Sequence, residues 1–425
     1  MTAISHTQSV GDQYTNNRSR KFRAFVLVVA SASLVLGAST PAEAAACGSG
    51  SAPLVGDGTV GAPYQIATAD HLMWLSATSA AWSNKHYIQT ANINIGGCDF
   101  NPIAEDNSIS GSYDGKGFTI SNLSISSNAH SVGLFSASYG PFTLKNLGIV
   151  DATVVSNYPS PGGGEVGIAL GDMNNFSGNI SISGVFTSGS VRASIANNYS
   201  GGLVGYVNMR GQGKGASITN SYSVASVQNK TLSPGGLIGN YTGVSAEDVT
   251  LSNVYSAGIL TAEDTLRSRY GLVGNMTNGT YKPVITASFW DTAITGALAA
   301  GPVTIAGVTA KSTSEMKSLT TFSAWPIVDG WEAFNFSTPT NFWGICSGVN
   351  DGYPFLLWEY VADPCVSPTS SSSSAAAPSP SPSATSLATT GTTSSDYLAL
   401  VPMLLAMGAL LAWLGRGRRS EGGSQ

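Results

Sequence analysis

His71, His86 and His130, with a scatter of aspartates, are the side chains of this 425-residue sequence best suited to proton transfer or metal binding. Zinc-peptidase chemistry needs two histidines four apart with a glutamate between them, so that one helix face holds both metal and base. None of the three histidines has that spacing. A serine nucleophile would want a Gly-x-Ser-x-Gly elbow, and the chain has none. Sugar-cleaving enzymes on β-helices gather carboxylates or basic residues on one sheet face. Here Asp151, Asp172, Asp248, Asp264 and Asp291 fall at unequal places along the chain. Tyr-Asp-Gly-Lys-Gly at 113–117 reads as a turn, its Asp-Gly and Lys-Gly pairs supplying the backbone conformations. No catalytic, cofactor-binding or metal residue is assigned, and the chain is not expected to be an enzyme. A polysaccharide lyase or glycosidase built on acids that meet in space is the alternative, and a structural surface component is another.

The remaining reactive groups are Cys47, Cys98, Cys346 and Cys365. An even count in an exported chain points to disulfides, and of the pairings open to four cysteines, Cys47–Cys98 with Cys346–Cys365 closes the shortest loops. Export is read from the start of the chain. Arg18, Arg20, Lys21 and Arg23 precede an apolar core over 24–38, and small residues around Ala44, Ala45 and Ala46 offer a cleavage site, giving a signal peptide over 1–46. That core is too short for a membrane anchor. Ala44 stands where a lipobox before Cys47 would place a large aliphatic residue, so lipidation is not expected.

Composition narrows the fold. The chain has 50 glycines and only 10% charged residues, which suits a turn-dense β protein rather than a helical enzyme. Without leader and tail, 12 basic and 20 acidic residues remain, a net charge near −8 that disfavours nucleic acid and anionic membrane as partners.

The middle of the chain is a repeat. A Gly-aliphatic-apolar triplet recurs at Gly133, Gly167, Gly202, Gly236 and Gly271, at offsets of 34, 35, 34 and 35, with second glycines at Gly205, Gly239 and Gly274. A second element is marked by Asn146, Gly184, Asn220, Asn253 and Ala287. One such strand buries too little to offset its ordering entropy, whereas stacked coils bury one another's apolar faces. Glycine would permit a sharp turn at each corner, and stacked asparagines would bond in a ladder. The expected fold is all-β, a parallel β-solenoid of ~34-residue repeats. Whether each unit makes one coil or two is left open. The expected boundaries are an N-terminal cap and first coils over 47–110, repeats over 111–300 and a Trp-rich C-terminal cap over 301–365. The segment 68–82 begins with a Thr cap and carries Leu72, Leu75 and Trp82 near one helical face, which predicts a short cap helix. The terminal aromatics read as capping core rather than a sugar-stacking platform.

The motifs Gly-Leu-Val-Gly-Tyr-Val, Gly-Leu-Ile-Gly-Asn-Tyr and Gly-Leu-Val-Gly-Asn-Met resemble GLUG-motif repeats of bacterial surface proteins and filamentous-haemagglutinin-like adhesins. The resemblance spans roughly residues 53–360 and implies a surface-binding role toward an unidentified extracellular glycan or protein. Ser136 replaces the second glycine of the first copy, and Gly171 looks shifted by one.

Beyond the repeats, a Ser/Pro/Ala-rich linker over 366–386 is extended by its prolines. Then come Leu387, Ala388, Thr389, Thr390 and Gly391, an apolar run over 397–414 long enough to span a bilayer, and a basic tail over 415–425. That order resembles a sortase sorting signal of the LAxTG variety in Gram-positive bacteria. The resemblance implies that a sortase thiol attacks the Thr390 carbonyl and passes the chain to a cell-wall peptide amine, after a transient stage held by the membrane span. A plain single-span anchor is the competing reading.

Overall fold

The computed structural model describes residue 48 and residues 50–159, 163–209, 215–243, 249–277 and 281–366. The expected leader, Cys47, the expected sorting motif, the apolar run and the basic tail lie outside the described residues, as does Asp248.

One repeat makes one coil. Leu170 pairs with Val204, Val204 with Ile238 and Ile238 with Val273, all in parallel and one unit apart. Among the described residues the coils build a 14-stranded sheet, a five-stranded sheet and a three-stranded sheet. The large sheet holds long bent strands such as Phe142–Ser156 and Ile180–Ala193. The three-stranded sheet is made of Ser131–Val132, Glu165–Gly167 and Tyr199–Gly201, and the five-stranded sheet runs from Phe135–Ser138 to Val273–Met276. Strand alternation fixes which side faces in: along Ile180–Ser183 the isoleucines are buried and the serines partly exposed. Leu144, Ile182, Ile218 and Leu251 stack in register and are fully buried. Each coil thereby completes the core of the next.

The motif glycines do not make the corners. None of Gly133, Gly167, Gly202, Gly205, Gly236, Gly239, Gly271 and Gly274 has a positive φ. They are required because neighbouring strands and layers touch: a Cβ on Gly205 would lie 2.5 Å from the Val166 nitrogen across the layers, and one on Gly239 would lie 2.7 Å from the Ser200 carbonyl carbon across the layers and 2.5 Å from the Gly205 oxygen in its own sheet. The five-stranded sheet thus packs directly on the three-stranded sheet of the preceding coil. At the first coil that sheet is only beginning, and Ser136 fits, donating its hydroxyl to the Ser131 carbonyl at 2.8 Å. Register also corrects the alignment of the second copy. Gly167 pairs with Gly201, one residue before Gly202, so Gly171 stands level with Gly205 and is not shifted.

The corners belong to the second element. Asn146, Gly184, Asn220, Asn253 and Ala287 all have φ between 44° and 61°. Asparagine tolerates this left-handed conformation better than most side chains. The ladder forms where two asparagines adjoin, Asn253 Nδ2 donating to Asn220 Oδ1 at 3.2 Å. At 113–117 the sequence predicts a turn, but these residues are a bulge inside the strand Gly111–Ser121, with the register shifting between Asp114 and Phe118. The backbone conformation at Lys116 and Gly117 is positive-φ, as a turn would need, yet the strand continues beyond it.

The cap helix is Ala69–Ala77, with the Thr68 side chain accepting from His71 N and Leu72 and Leu75 buried. Trp82 lies past its end and donates its indole N–H to the Leu75 carbonyl at 2.7 Å. At the other end Val308–Lys311 adds to the large sheet beside Ser288–Asp291. The chain then turns back along the flank of the solenoid as a strap over 312–366. The strap carries its own small sheet of Ile327–Asp329, Trp343–Ile345 and Phe355–Leu356, and the Cys346–Cys365 disulfide. Cys98 is also disulfide-bonded.

Candidate functional site

The strap covers an aromatic column on the outside of the large sheet. Phe186, Tyr222 and Tyr255 come from successive coils and stack face to face, with centroids 5.1 and 4.7 Å apart. Trp325, Trp343 and Trp358 of the strap pack over them, and all three are buried. Gly184 interrupts the asparagine column at the point where a Cβ would lie 3.4 Å from the Trp358 indole nitrogen. These aromatics are core, so they offer no open platform for a sugar.

Where the end of the strap meets the first coils, a cleft of about 440 Å³ opens. Phe118 and Thr119 reach it from the strand Gly111–Ser121, Asn92 from the preceding coil, and Trp358, Glu359 and Tyr360 from the strap. Asn92 is fixed by Thr119, whose backbone N–H donates to Asn92 Oδ1 at 2.9 Å. Glu359 accepts from Tyr222 Oη at 3.0 Å and from the Leu356 backbone N–H at 2.6 Å. Its carboxyl therefore points into the packed interface although the residue as a whole is partly exposed. Burial pushes Glu359 up to about 8, against the pull of those two hydrogen bonds.

This has a measurable consequence. A carboxyl held protonated in the fold but ionised above about pH 4.5 when unfolded contributes stability that is complete below that pH. The contribution is lost as pH rises through the folded value near 8. Stability should fall by about 4 kcal/mol between pH 5 and pH 9, most of it before pH 8. Glu359→Gln, whose amide can keep both contacts, should flatten that decline. Urea midpoints at several pH values measure it, and an unchanged slope in the variant would assign the effect to another group.

The side chains singled out from sequence are dispersed. His71 lies on the cap helix, His86 on the strand Lys85–Gln89 and His130 beside the three-stranded sheet. Asp151 is exposed at a positive-φ position, Asp172 is buried in the five-stranded sheet and Asp264 pairs with Arg267 at 3.4 Å. Asp291 is fully buried and caps the short helix Thr292–Thr295. One polar cluster does form. His130 Nδ1 lies 2.8 Å from Glu165 Oε2, and the Ser131 hydroxyl donates to the same oxygen at 2.8 Å. The Glu165 hydrogen bond raises the His130 pKa. The same imidazole nitrogen also lies 3.3 Å from Ser131 Oγ, and Ser131 is buried with its hydroxyl donating to Glu165. Among the described residues no group of three or more His, Cys, Asp or Glu side chains is placed to hold a metal ion.

Sequence reasoning missed both the cleft and this pair. Ser131 and Glu165 pair directly across neighbouring coils, 34 positions apart, so adding one repeat length to each polar residue would have found them. For the cleft the available signal was a lone glutamate between aromatics in Trp358-Glu359-Tyr360.

No family model matches the chain. Over 164 residues it is 34% identical to halomucin of Haloquadratum walsbyi, a match covering 35% of this chain and 2% of halomucin. A solved structure from Bacteroides ovatus, provisionally described as an immunoglobulin A1 protease, superposes with a TM-score of 0.55 at 20% identity, covering 72% of this chain and 95% of that one. At that identity the likeness is one of fold, and the fold of this chain is a parallel β-solenoid.

Proposed function

We propose that this protein is a surface-displayed binding protein, an adhesin-type module exported by its leader and fixed to the cell wall through Leu387–Gly391. The observation that carries the binding role is the preformed cleft between strap and first coils, held by elements that the core fixes on both sides. Glycoside hydrolysis at this cleft would need a second carboxyl group opposite the first. Glu359 is the only carboxylate among its described lining residues, so binding is the better reading. Partial likeness to a protein named as a mucin supports an extracellular setting.

Anchoring is tested on the cell. Recognition by a sortase needs the pentapeptide, while retention before cleavage needs the apolar run and its arginines. Thr390→Ala should leave the protein in the membrane with its tail intact, and deletion of 397–425 should send it into the medium. Mass spectrometry of muralytic digests should find the wild-type chain ending at Thr390 on wall peptide. Wild-type protein extracted whole by detergent, still carrying Arg416, Arg418 and Arg419, would establish the plain membrane anchor instead.

A further inference from the structure

We propose that the cleft between the strap and the first coils binds an uncharged saccharide. The inference rests on the binding reading above and gives it a ligand class. A sugar ring presents C–H faces and hydroxyl edges together, and the lining offers partners for both. Phe118 and Tyr360 are partly exposed rings, with Trp358 buried behind them. Asn92 is exposed, and its Oδ1 already accepts from the Thr119 N–H and hydroxyl, which orients its Nδ2 donors. Thr119 and the backbone around Ala362 add further polar groups. No lysine, arginine or histidine lines the described cleft, so an acidic glycan or a phosphate would find no counter-charge. Glu359 does not supply a fixed negative charge at neutral pH, because burial keeps it protonated.

The walls are rigid, which lowers the cost of ordering on binding. Phe118 and Thr119 lie on a strand paired in register with Phe142–Ser156. Glu359 closes the short helical turn Leu357–Glu359 through its bond to the Leu356 N–H. A flexible aromatic pair could bind many apolar partners. This one is framed by fixed hydrogen-bonding groups, which favours a ligand with hydroxyls at set positions.

The test uses the full chain purified in detergent, with cellohexaose, chitohexaose and maltoheptaose as neutral probes and oligogalacturonate as the acidic one. Calorimetry and tryptophan fluorescence should show at least one neutral probe binding and the acidic probe failing. Tyr360→Ala and Asn92→Ala should each weaken that binding by about tenfold or more, with the thermal midpoint held close to wild type. Tyr139→Ala, a partly exposed ring remote in sequence from the cleft, should leave it unchanged. The proposal is overturned if no neutral probe binds, if oligogalacturonate binds more tightly than all three, or if both cleft variants bind as well as wild type. If it is overturned while cells bearing the chain still adhere to protein-coated surfaces in a chain-dependent way, the saccharide class fails and the binding role stands. Loss of both would end both.

Discussion

Gly239→Ala should destabilise the solenoid by about 3–5 kcal/mol, although it adds a single methyl group at an ordinary backbone conformation. A Cβ there would meet the Gly205 oxygen at 2.5 Å and the Ser200 carbonyl carbon at 2.7 Å, both backbone atoms of neighbouring strands. Backbone held in two sheets cannot rotate aside as a side chain can, so the layers must separate and the stacked core loosens with them. Gly205→Ala should behave alike, since its Cβ would lie 2.5 Å from the Val166 nitrogen. Gly61→Ala is the control: nothing lies within 4 Å of its Cβ position, and its change should stay within about 0.5 kcal/mol. Urea denaturation followed by circular dichroism reads all three. Equal, small effects at Gly239 and Gly61 would show that the layers yield, and that the motif glycines serve some other purpose.

Trp343→Ala should cost a similar ~3–5 kcal/mol through loss of the strap's central anchor. Trp343 is fully buried, 4.6 Å from Trp325 and 5.9 Å from both Tyr222 and Tyr255 in ring-centroid distance. Its indole N–H donates to Asn220 Oδ1 at 3.3 Å, so truncation also removes the donor from a corner residue of the solenoid. Removing the ring leaves a cavity among other rings that are themselves pinned and cannot collapse into it. Phe336→Ala, at a ring 40% exposed, should be far milder. The unfolding curve of Trp343→Ala should move as a single transition, because strap and coils share one buried aromatic cluster. An early, separate transition of small amplitude would instead make the strap an independent lid.

The repeat was legible because a solenoid is nearly one-dimensional. Every coil makes the same contacts with its neighbour, so the same residue types must return at one spacing, and the Gly and Asn markers do. The sequence alone therefore settled the fold class, the parallel stacking and the cap helix begun by Thr68. It also located Asn146, Asn220 and Asn253 as equivalent positions. It misjudged why the glycines recur, since a sequence records that a side chain is missing and not whether φ or a neighbouring atom forbids one. Only the tertiary structure decided that atoms of neighbouring strands and layers leave no room for a Cβ, that each repeat is one coil, and that the C-terminal aromatics run back along the flank. Those last contacts join residues as far apart as Tyr222 and Glu359, 137 positions, and Asn220 and Trp343, 123 positions. They occur once each, in a segment with no repeat of its own. A contact made once leaves no period to read, and the cleft that depends on such contacts was invisible until the chain was folded.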